Sequence, residues 1–344
     1  MRSFFRLCLF AILATIFVFP SHAMLMTGNT MVSPDKTRFI ALLGHHHKRT
    51  GIDHEERQLI DLVAICKQGV QEGKKFHILY ERSGDMPQFF RSEKNILGDI
   101  EEFFAEAQVP DCIIENIEMR DFSNAAYHIF SHNGDVRNEQ ATWNYGSKAF
   151  GELEFQDLFD EFEEYASELE PFAQRVVQEN ANCPEAPHVV RRYTLARNSL
   201  NKIKSFLREN ELGYDTNILS LARERVADCR GLALTTRRAF SDLFDLHIFR
   251  RLMQLDPTAQ AVVIAGSWHT MEVAQLLSTL TWRSGLIKGF IFDEIPIPLT
   301  YRNLRSIVLN ETEWTQIAKD MAKYLINFQM ALGARLEAIS ALIP

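Results

Sequence analysis

The stretch Ala261-Val262-Val263-Ile264-Ala265-Gly266-Ser267-Trp268-His269-Thr270 decides how this chain reads. Five apolar residues without a polar interruption suit a strand covered on both faces, Gly266 permits a tight turn, and His269 then stands at the start of a helix. Two other runs have the same form. Arg38 to Leu43 closes on Gly44-His45-His46-His47, and Phe76 to Tyr80 closes on Glu81. Histidine, glutamate and histidine thus come at the carboxyl ends of three strands, the edge of a parallel sheet where ligands bind.

Outward from these runs the chain alternates strand and helix patterns. Leu59, Leu62, Val63, Cys66 and Val70 form a helical stripe that Gly73 ends. A second helix is expected over Ser92 to Ala107 and a third strand over Ile113 to Met119, ending in Arg120-Asp121. This order predicts an α/β fold, a mostly parallel sheet flanked by helices. Between the third strand and the second Gly-x-x-His strand lies a large helical insertion, about 150–255. Its segments, near 150–180, 190–211, 215–228 and 237–255, break at Pro184, Pro187, Gly213 and Gly231 and are expected to pack over the sheet. Seven acids between Glu152 and Glu164 in its first segment read as the solvated face of an amphipathic helix rather than a cation site. A helix over Met271 to Leu280, a strand over Leu286 to Phe292 and a C-terminal helix over about 312–342 complete the expected domain.

The N-terminus reads as a secretory signal spanning residues 1–23. Arg2 and Arg6 form its basic region, Leu7 to Phe19 its apolar core, and Ser21-His22-Ala23 a small-x-small cleavage site. Cleavage after Ala23 would move the formal charge from -8 to -10, leaving 24–344 as a single α/β domain. The apolar run is short for a membrane span, so a periplasmic or secreted protein without a stable membrane span is expected. The acidic balance and the lack of a basic stripe argue against a nucleic-acid partner. Of the cysteines beyond the signal, Cys183 and Cys229 flank loop-like sequence and are the first pair expected to oxidise. Cys66 and Cys112 fall in apolar patterns and read as buried thiols.

Chemistry at the sheet edge has several candidate carriers. His47 can serve as general base or metal ligand, while His45 and His46 read as solvated loop residues. Glu81 can orient a histidine, accept a proton or ligate a metal. His269, at a helix N-terminus that disfavours imidazolium, should tend to stay neutral, as base catalysis or ligation requires. Ser267 lacks the second glycine of a nucleophile elbow and reads as a turn residue. Arg120 suits an oxyanion or a structural ion pair. Asp242 and Asp245 share one helical face, and one of them is a candidate to reach the site.

The paired Gly-x-x-His motifs, Gly44–His47 and Gly266–His269, resemble those of the TraB/TIKI, erythromycin-esterase and ChaN-like group. Glu81 fits the acidic position after the second strand, and Asp242 or Asp245 fits the helix before the second motif. One departure is His45, where the first motif usually carries threonine. The resemblance implies a hydrolase-like site, either a TIKI-like metallopeptidase or a metal-free erythromycin-esterase-like enzyme, or else a ChaN-like haem protein. The leading expectation is an exported hydrolase acting on an ester or amide bond of a small molecule or peptide. In it, His47 and His269 with Glu81 activate water, optionally through a divalent metal ion on the same three residues, and Arg120 steadies the oxyanion. The competing expectation is a haem or small-ligand carrier without turnover, with histidines and Tyr80 as axial ligands. A third is an interaction protein with a degenerate site.

Overall fold

The computed structural model describes residues 25–35, 38–45, 52–71, 73–81, 100–143 and 148–284. These all belong to the first of two compact units, Met1–Asn303. The signal segment, His47, the strand expected at Leu286 to Phe292 and the C-terminal helix lie outside the described residues.

The fold is α/β, as the alternating pattern predicts. Strands β1 (Leu25–Val32), β2 (Phe39–His45), β3 (Lys75–Tyr80), β4 (Cys112–Asn116), β5 (Ala259–Gly266) and β6 (Arg283–Ser284) form one sheet in the order β4-β3-β5-β2-β1-β6. The run β4, β3, β5, β2 is parallel; β1 pairs antiparallel with both β2 and β6. The last long strand therefore sits at the centre, between β3 and β2. Tyr80 pairs with Ile264 and His45 with Gly266, so the carboxyl ends of the three motif-bearing strands lie side by side.

Alternation along the strands builds two cores. On one face Ala41, Leu43, Phe76, Ile78, Tyr80, Val262 and Ile264 pack with helices α1 (Ile52–Gln71) and α2 (Ile100–Ala107). The side chains between them, among them Leu42, Leu79, Val263 and Ala265, face the larger core. That core is built from α3 (Asp121–Ser131), α4 (Phe155–Glu179), α5 (Pro187–Glu209), α6 (Ile218–Glu224), α7 (Val226–Gln254) and α8 (Ser267–Thr279). The continuous apolar strands are thus explained: each is covered on both faces.

Charged clamps fix the insertion to the sheet. Arg251, in the last turn of α7, grips Glu115 of β4 through Nε at 2.8 Å and Nη2 at 2.7 Å. Arg192 of α5 bonds Asp242 of α7 at 2.6 Å and also pairs with Glu272 of α8.

Four expectations need correction. Strand β4 stops at Asn116 rather than Met119, because Asn116 Oδ1 takes the N–H of Glu118 and turns the chain out of the ladder. The sheet gains the antiparallel strand β1, whose Thr-Gly-Asn-Thr centre carries no apolar signal. Helix α3 begins directly after Arg120, ahead of the expected insertion. Gly231 does not break its helix: α7 runs through it for 29 residues with open space where a side chain would be.

Ile78 is 0% exposed between the sheet and α1, whereas Ile113 on the outer strand is 59% exposed. Urea unfolding should show Ile78→Ala losing about 2–5 kcal/mol and Ile113→Ala staying within about 0.5 kcal/mol of the wild type.

Candidate active site

Three of the four residues singled out as catalytic meet at the carboxyl edge of the sheet. Glu81 follows β3, its N–H donating to the Ile264 carbonyl at 2.8 Å, so that it leaves the strand level with β5. Its Oε2 accepts the Gly266 N–H at 2.6 Å, fixing the turn that leads into α8. Its Oε1 accepts Arg120 Nη2 at 2.5 Å. Arg120, on the N-terminal flank of α3, is gripped from its other side by Glu118. Glu118 Oε1 accepts Arg120 Nε at 2.8 Å, and Oε2 accepts Nη2 at 2.8 Å. The remaining end of the guanidinium, Nη1, reaches His269 Nε2 at 3.0 Å. His269, in the first turn of α8, meets Asp245 Oδ1 through Nδ1 at 2.6 Å.

The bonding fixes the proton on this imidazole. Arg120 can only donate, so Nε2 must accept; the ring proton then sits on Nδ1 and is donated to Asp245. In this arrangement the ring accepts at Nε2 and donates from Nδ1. Burial opposes charge on Arg120, but the carboxylates of Glu118 and Glu81 outweigh it and raise its pKa above the ordinary value. Phe244 of α7 seals the group. Its ring stands edge-on to His269 with centroids 4.9 Å apart, and the Arg120 guanidinium carbon lies 3.9 Å over its face. Exposure is 2% for Glu81, 6% for Arg120, 8% for His269 and 0% for Asp245, so these contacts act in a low-dielectric setting.

The choice between Asp242 and Asp245 is settled by which way α7 turns. Asp245 faces α8 and binds His269; Asp242 is taken by Arg192. Two hollows on the described surface lie along α5 and include none of these residues.

Two contributors escaped the sequence reading. Glu118 sits three residues before a helix and has no motif to mark it. Glu161 was grouped with the solvated acids of α4, yet it is 6% exposed and accepts the N–H groups of Phe122 at 2.8 Å and Ser123 at 3.0 Å. It thereby caps the helix that begins beside Arg120. The signal available for it was position: it shares the α4 stripe with the buried Leu158 and Phe162.

Of the three residues expected to hold a metal, Glu81 and His269 are described and His47 is not. The Arg120 guanidinium, a permanent cation, already fills the space between Glu81 and His269 Nε2. Among the described residues no group of three or more His, Cys, Asp or Glu side chains is arranged to hold a metal ion. Of the residues expected to hold haem, Tyr80 and His269 are described. Tyr80 is fully buried in the core under α1, its hydroxyl donating to Glu101 at 2.6 Å, and both ring nitrogens of His269 are engaged.

Burial pushes the Glu161 carboxyl from 4.5 up to about 8, against the pull of its backbone donors. The native state then holds a proton that the unfolded chain releases, so stability falls as pH rises between these two values. Glu161→Gln should flatten that slope in urea titrations across the same range; an unchanged slope would place the proton elsewhere.

No protein-family model, curated protein or solved structure matches this chain.

Proposed function

We propose that this chain is an exported hydrolase that cleaves an ester or amide bond in a small molecule or peptide, with His269 as general base. The observation that carries this reading is the buried hydrogen-bonded chain from Asp245 through His269 and Arg120 to Glu81. An Asp-oriented imidazole that accepts at Nε2 is the arrangement from which water activation can start once Nε2 is released. Paired Gly-x-x-His motifs at the same strand ends, resembling those of the erythromycin-esterase group, support it.

In the resting arrangement Arg120 Nη1 occupies the Nε2 lone pair. The guanidinium is anchored through Nε and Nη2 by two carboxylates, which leaves Nη1 as the end able to change partner. A substrate carbonyl oxygen that takes Nη1 releases Nε2. Water then gives a proton to Nε2 while its oxygen adds to the carbonyl carbon, and the oxyanion is held by Arg120. Asp245 stabilises the imidazolium. As the tetrahedral adduct collapses, Nε2 returns the proton to the departing alkoxide or amine. Glu81 holds both Arg120 and the Gly266 turn in register, and His47 lies outside the described residues.

Export is supported by the signal-like residues 1–23 and by the position of β1, which starts at Leu25 and would stay whole after cleavage at Ala23. Among the described residues no helix is long and apolar enough to cross a membrane.

Purified protein screened against chromogenic esters and aminoacyl amides should show turnover. His269→Ala and Asp245→Asn should each lower kcat/KM by roughly 100- to 10,000-fold, and chelation should leave it unchanged. Loss of turnover on chelation would reinstate a metal. No turnover, together with a Soret band that His269→Ala removes, would make the protein a haem carrier instead.

A further inference from the structure

We propose that Cys66 and Cys112 form a disulfide that ties α1 to the outermost strand, β4, when the chain folds in an oxidising compartment. Cys66 lies on the inward stripe of α1 with Leu59, Leu62 and Val63, and is 0% exposed. Cys112 opens β4 and, like Ile114 two residues on, faces the core under α1; Ile113 between them faces solvent. The register of β3 against β4 sets Cys112 beside Phe76, at the amino end of the sheet and so beneath the last turns of α1. Cys112 packs against the same core cluster that holds Cys66, and both are free thiols in this state.

The pair suggested by loop-like sequence cannot form. Helices α5 and α7 run antiparallel: Arg192 meets Asp242, while Lys202 and Ile203 share a hollow with Gly231 and Leu232. Cys183 precedes the start of α5, and Cys229 lies beside its far end. At 1.5 Å per residue that leaves a gap of about 30 Å, far beyond the few ångströms a disulfide spans. The Cys229 thiol is instead buried, donating to the Ala222 carbonyl at 3.3 Å.

Oxidation removes two protons and two electrons from the thiols. A disulfide-bearing thiol oxidoreductase or oxidised glutathione takes both electrons and is reduced to two thiols. The contact with Cys112 and burial both push the Cys66 thiol up, so the thiolate needed for attack is disfavoured in the folded state. Exchange therefore belongs to folding, before α1 closes over the sheet. The crosslink closes a loop of about 45 residues and removes that freedom from the unfolded chain.

Only the compartment depends on the export reading; the pairing itself does not. The test is therefore oxidative refolding of reduced, denatured protein in a glutathione redox buffer, followed by alkylation and non-reducing tryptic mapping. The expected product is a crosslink between the peptides 58–67 and 95–120, with Cys183 and Cys229 alkylated. Its melting temperature should exceed that of the reduced protein by several degrees, a gain that Cys112→Ala abolishes. Alkylation of both Cys66 and Cys112 after refolding, or a crosslink through Cys183 or Cys229, would overturn the pairing. Absence of signal processing in cells, with the refolded crosslink present, would count against export alone.

Discussion

The buried guanidinium of Arg120 is the constraint on which the site depends. A cation out of water costs several kcal/mol unless fully paired, and this one has two carboxylates, an imidazole nitrogen and an aromatic face around it. Each partner has a second duty. Glu81 holds the Gly266 turn, Glu118 binds the backbone N–H groups of Met119 and Arg120, and His269 is fixed by Asp245. Removing one member would strand the charge of another, so the group behaves as a unit rather than as separate contacts.

Sheet order explains how residues so distant in sequence reach one another. Because β5 enters between β2 and β3, Glu81 and the Gly266–His269 turn become neighbours across a single strand spacing. The insertion then supplies what the sheet lacks. Helix α7 brings Asp245 and Phe244 over the strand ends, and α4 brings Glu161 to the start of the helix beside Arg120. The insertion is thus part of the site's wall, and Arg251 ties α7 to Glu115 of the sheet.

Much of this could be read from the chain because apolar runs report strands that are covered on both sides, and whatever follows such a run must emerge at the sheet edge. That logic found Glu81, Arg120 and His269. It failed where the deciding fact is tertiary. Asp242 and Asp245 share a helical face, and only the approach of α8 and α5 separates their roles. Glu161 looks like its acidic neighbours until α3 is placed against it. Strand β1 carries polar residues at its centre and is held in the sheet mainly by its ladder with β2, and Gly231 fits inside a helix that tertiary packing stabilises beyond its local propensity. The separation of Cys183 from Cys229 is set by how α5 packs on α7, which loop composition does not encode.

The central claim is that His269 is held as a neutral imidazole with its proton on Nδ1, between Asp245 and Arg120. Nitrogen-15 NMR of histidine-labelled protein reads this directly. The account predicts a protonated Nδ1 with a strongly downfield proton and an unprotonated Nε2, a pattern that Asp245→Asn disrupts. A His269 ring protonated at Nε2, or averaging freely between its two tautomers, would contradict it.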